Sequence, residues 1–188
     1  GFPIDGLPSH DPIYVSYERM EEMYEEGIAE FVPHSHTHAY FDSISDEQIH
    51  YELKTSQEII KKLGWNYKDF VYPGGRNNEN IRRITSQYYE SAVKVGTVGA
   101  GIPFDQYAIP RITLTSTGFN PQTINNAIDD ALDELGFAIL MSHVDLDAGL
   151  NPDDMRQVIE HVINNTDAEF VTMRELIQEH GNVMQQGD

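Results

Sequence analysis

Two histidines four residues apart, His34 and His38, stand in the run His34-Ser35-His36-Thr37-His38, which holds three of the chain's eight histidines. Neutral imidazole is the commonest side-chain metal ligand near neutral pH, and two on one short segment can close on a single ion. His36 points the other way if the segment is extended, so it reads as a non-ligand. Three further segments carry useful groups: Pro73-Gly74-Gly75-Arg76, Arg111 and Ser142-His143. A bound ion would polarise a carbonyl and acidify water. The N–H groups of a glycine turn would hold an oxyanion, and a separate histidine would protonate a leaving group. Together these are the parts of a metal-dependent amide or ester hydrolase. Plainer readings stand beside it: a solvated His-rich loop, an ordinary turn after Pro73, a buried His143 satisfied by a carbonyl, a surface Arg76. Trp65 and Tyr67 read equally as packing residues or as a sugar platform. His10, His50, His161 and His180 receive no role.

The elements that must position these groups alternate between helix and strand. Ser16 caps a helix running to about Glu26 and ended by Gly27, with Ile28 to Val32 a strand behind it. Ser45-Asp46-Glu47-Gln48 is a capping box opening a helix that Gly64 stops. Phe70-Val71-Tyr72 is a short buried strand, Asn78 to Tyr89 a helix, and Ser91 to Val95 and Tyr107 to Leu114 strands. Asn120-Pro121 opens a helix ending at Gly136, and Asn151-Pro152 repeats that opening. Phe137 to Met141 is a fully apolar strand. Glu169-Phe170-Val171 reads as a last strand and Thr172-Met173-Arg174-Glu175 as a second capping box. The polar tail, 181–188, should fray. Such alternation implies a parallel sheet, open or closed into a barrel, whose C-terminal strand ends gather the four segments at one mouth.

Composition narrows the function. The chain has 188 residues, enough for one domain with a full core. It has no cysteine, which removes thiol catalysis, thiolate ligands and disulfides, so a metal must be held by His and carboxylate. A net charge of −19 disfavours nucleic acid and anionic membrane surfaces and suits a neutral or cationic substrate, or serves solubility alone. No run of eighteen apolar residues exists, so no membrane insertion is expected.

The run His34 to His38 resembles the His-[Ser/Thr]-x-x-His metal motif of the polysaccharide deacetylases (carbohydrate esterase family 4, the nodulation-type deacetylase domain). Glu25 to Glu30 resembles the segment before that motif. Ile44 to Ile49, with Glu52-Leu53, resembles the helix after it. Phe70-Val71-Tyr72-Pro73-Gly74-Gly75 is similar to the third motif in its Phe-x-Tyr-Pro form, and Ile139 to His143 to the fifth, Leu-x-x-His. The resemblance runs from about residue 12 to residue 176. It implies an α/β fold, a distorted (β/α)7-type barrel, and one divalent metal ion, usually zinc. It implies an N-acetylated glycan substrate: peptidoglycan, a chitin-like chain or poly-N-acetylglucosamine. His34 and His38 would bind the metal, and His143 would be the catalytic acid. Leu140 would line the acetyl pocket beside Pro73, and the Gly74 N–H would assist the oxyanion. Localisation would be extracellular, at a cell surface or on a virion, within a larger polypeptide.

The family's first motif, Thr-Phe-Asp-Asp, which supplies the general base and a third metal ligand, does not occur. Asp5 and Asp11 are the only early carboxylates. The first βα unit is therefore expected to be absent, with residues 1–180 forming an N-terminally truncated deacetylase-like domain. Truncation, a strand supplied from elsewhere and an inactive site are all open. Val71 stands where the third motif carries Arg, and Gly74 where it carries an aromatic. No Asp-x-x-Asp-Trp motif occurs, and Arg111 is the candidate to replace its charge at the substrate. The alternative function is a catalytically impaired carbohydrate-binding or adhesion module of a cell-surface or phage-tail protein.

Overall fold

The computed structural model describes residues 15–96, 105–115, 118–143 and 151–184. Among these residues six α-helices are formed: α1 (Tyr17–Glu25), α2 (Asp46–Lys62), α3 (Glu79–Thr85), α4 (Pro121–Leu135), α5 (Pro152–Asn165) and α6 (Met173–Met184). Their starts follow the capping residues. Ser45 Oγ accepts from the Gln48 N–H while the Gln48 side chain accepts from the Ser45 N–H, closing the expected box. Asn120 and Asn151 cap α4 and α5, each with proline at the first helical position. Thr172 and Glu175 exchange the same reciprocal bonds at the start of α6.

The strands are short: β1 (Asp69–Val71), β2 (Ser91–Val93), β3 (Ile112–Thr113) and β4 (Leu140–Met141). β1 pairs with β2 and β3 with β4, both parallel. A parallel bridge from Val93 to Ile109 joins the two pairs, because the segment leading into β3 lies along β2. The result is a mixed α/β fold with a strip of parallel pairings. The described residues do not close it into the expected barrel. Two predicted strands are not formed among the described residues. Over Ile28 to Val32, the Ile28 and Ala29 N–H groups both donate to Met23 O and finish α1, so the segment's first donors are spent before any ladder can begin. At Glu169 to Val171 the chain makes no ladder either, and Phe170 and Val171 are exposed.

Three apolar clusters fix the layers. Phe41, Ile49, Leu53, Phe70, Tyr72, Ile81 and Ile84 pack α2 and α3 against β1. Val93, Ile109, Leu135, Phe137, Leu176 and Ile177 seat α6. Ile112, Leu114, Ile128, Ala131, Val158 and Val162 hold α4 and α5 over β3. Each Val, Leu, Ile or Phe among them contributes about 1.5–3 kcal/mol when fully buried. Among the described residues no helix is long and apolar enough to cross a membrane.

Candidate metal and substrate site

The His34–His38 segment docks on β1 through both polar groups of one residue. The Val71 N–H donates to Pro33 O at 3.0 Å, and His34 Nδ1 donates to Val71 O at 2.7 Å. The second bond fixes the tautomer and leaves Nε2 as the lone-pair nitrogen, the arrangement that metal-binding histidines use. The His38 ring stands edge-on to that of His34, with centroids 4.9 Å apart. Burial lowers the His34 pKa to about 4, and it lowers that of His38 too. Both rings are thus neutral near pH 7, the form a metal requires.

Ser35 and His38 hold positive φ angles of 66° and 62°, conformations that L residues adopt only when the surroundings impose them. Glu52 imposes them here. Its carboxylate, only 5% exposed, accepts from the His36 N–H (2.8 Å), the Thr37 N–H (2.7 Å) and the Thr37 hydroxyl (2.7 Å). Sequence reasoning placed Glu52 on the right helix without a role. The available signal was its position: it falls within the buried stripe Ile49, Leu53, Ser56, Ile60 of α2, where an unpaired carboxylate is not tolerated.

The other expected site residues are distributed as follows. Arg111 is half-buried, donates from Nε to Lys94 O, and lies close enough to His34 for its charge to depress the His34 pKa. His143 follows β4, is exposed, and acts on His38 in the same way. These four side chains therefore share one electrostatic neighbourhood. Pro73 is buried at the start of a one-turn 3-10 helix, and Gly74 is exposed with φ 59°. Leu140 packs instead toward the α4–α5 cluster and lines an apolar cavity of about 520 Å³ with Phe137, Met155 and Leu176. His36 stacks edge-on against Tyr51, 5.7 Å away. Trp65 is buried against Tyr17 and Phe31, a packing residue. Outside the site, His50 Nδ1 meets the Tyr88 hydroxyl and His161 pairs with Asp129.

Two imidazoles are thus in place for an ion, and among the described residues no third His, Asp or Glu joins them. Asp5 and Asp11 lie outside the described residues.

The family model of polysaccharide deacetylase matches residues 9–91, a span that holds His34, His38, Glu52 and the Pro73–Gly75 turn. No curated protein matches the sequence. A solved polysaccharide deacetylase from Bacillus cereus is similar at 25% identity, covering 52% of this chain and 32% of that one, with a TM-score of 0.47. The Xyl-CE4 domain of a multidomain xylanase from the hindgut metagenome of Trinervitermes trinervoides is 20% identical, with 86% of this chain and 69% of that one covered and a TM-score of 0.55. The chain thus spans about a third of the first of these structures. The second shares its fold across most of the described elements. Over residues 9–91 the chain is thus similar to the polysaccharide deacetylases.

Proposed function

We propose that the chain removes N-acetyl groups from an extracellular polysaccharide, using one divalent metal ion held by His34 and His38. The observation that carries this reading is the His34 Nδ1 bond to Val71 O beside the His38 ring. It fixes the lone-pair nitrogen of one neutral imidazole next to another. Zinc is the ion that suits such nitrogen ligands in a chain without thiolates. The family match favours this hydrolase over the binding-module alternative.

When bound, the ion would supply Lewis acidity toward the acetyl carbonyl and its attacking water. The chain's own residues would do the rest. Gly74 offers its N–H to the carbonyl oxygen as negative charge develops there, and the Arg111 guanidinium adds positive potential from beside His34. His143, exposed at the end of β4, gives its proton to the sugar nitrogen as the C–N bond breaks. The water's oxygen ends on acetate, one of its protons restores that of His143 while the other passes to solvent, and the sugar leaves as the amine. Pro73 would form an apolar wall for the acetyl group. A neutral glycan approaches a protein of charge −19 without the repulsion that an anionic polymer would meet.

The test is acetate release from N-acetylglucosamine oligomers, with zinc added and with zinc chelated. Zinc-dependent release supports the reading. No release from protein that has bound zinc overturns it.

A further inference from the structure

Tyr40 occupies the space that a side chain at position 74 would take. A Cβ built on Gly74 would lie 2.9 Å from Tyr40 Cε1 and 3.3 Å from Cδ1. The glycine is thus matched to the ring, in addition to its φ of 59°. The Arg76 guanidinium lies over the same ring at 4.2 Å, and its NH1 reaches Asp42 at 3.5 Å. The His38 ring is 6.0 Å away. An aromatic residue held on these sides would ordinarily be a core residue, yet Tyr40 is 42% exposed, while its neighbour Phe41 is fully buried. The fold keeps Phe41 for the core and holds Tyr40 outside it, beside one of the two paired imidazoles.

We propose that Tyr40 is the platform on which the sugar packs at this site, its ring serving in place of any side chain at position 74. This rests on the glycan-hydrolase reading above. Pyranose rings carry C–H faces that pack against an aromatic surface, here the face of Tyr40 opposite Arg76, and their hydroxyls need polar partners nearby, which the Arg76–Asp42 pair provides. The cation over the ring limits its rotation, so less freedom is lost when a sugar settles on it.

The experiment is calorimetric titration of the zinc-loaded protein with N-acetylglucosamine tetramer, alongside separate zinc titration. Tyr40→Phe keeps the ring and should bind within about two-fold of the original. Tyr40→Ala and Tyr40→Leu should each weaken binding by about ten-fold, the scale of one lost aromatic contact. All three should bind zinc as the original does, which also shows that they fold. Equal oligomer binding by Tyr40→Leu and the original would overturn the platform and leave the hydrolase reading intact. Failure of the original protein to bind any oligomer would overturn both.

Discussion

The Thr37 N–H and the Glu52 carboxylate meet at 2.7 Å, and the same carboxylate takes the Thr37 hydroxyl and the His36 N–H. One helix residue thereby sets the backbone on which both candidate metal ligands sit. Glu52→Ala should take the carboxylate from two half-buried backbone donors, at a cost of about 1–3 kcal/mol in urea unfolding. Zinc affinity should fall about 10- to 100-fold, the usual effect of losing a group that orients a ligand. Glu52→Gln, which keeps the shape and one acceptor, should lose less of both. Unchanged zinc affinity in a folded Glu52→Ala would show that the loop holds its own shape.

The low pKa of His34 has a sign that can be followed. Its folded value, about 4, lies below the ordinary 6.5, because burial penalises the charged ring. Between those values the unfolded chain binds the extra proton, so stability rises with pH across that window. The contribution is fully present above pH 6.5 and is lost as pH falls toward 4, with an upper bound of about 3 kcal/mol. Urea melts of metal-free protein at pH 7 and pH 4.5 should show this loss, and His34→Gln should reduce it. An identical pH dependence in that variant would place the effect elsewhere.

Gly75 carries the turn after β1. A Cβ there would lie 2.4 Å from the Val95 backbone nitrogen and 2.5 Å from the Val95 Cβ, and its φ is 67°. Backbone cannot move aside as a side-chain tip can. Gly75→Ala should therefore cost about 2–4 kcal/mol, combining left-handed strain with overpacking. A drop in thermal midpoint of less than about 2 °C would mean that the strip of strands is looser there than its packing implies.

Helix starts were legible because their determinants are local. Ser16, Ser45, Asn78, Asn120 and Asn151 each cap the helix they announce. Strands were less so, since a ladder needs a partner that periodicity cannot reveal. Ile28 and Ala29 look like strand residues until their N–H groups are seen closing α1. Within the site, His34 and His38 were visible from spacing alone. The contacts of Glu52 and Tyr40 were not, because both reach across the fold, to Thr37 fifteen residues away and to Gly74 at still longer range.

Zinc titration of the metal-free protein, monitored by calorimetry with His34→Ala and His38→Ala alongside, addresses the pairing of the two imidazoles most directly. A single site is expected, its affinity reduced at least about 100-fold in either variant, with roughly one zinc per chain in the original. Zinc binding that survives both substitutions, or none at all in the original protein at neutral pH, would contradict a metal held by His34 and His38.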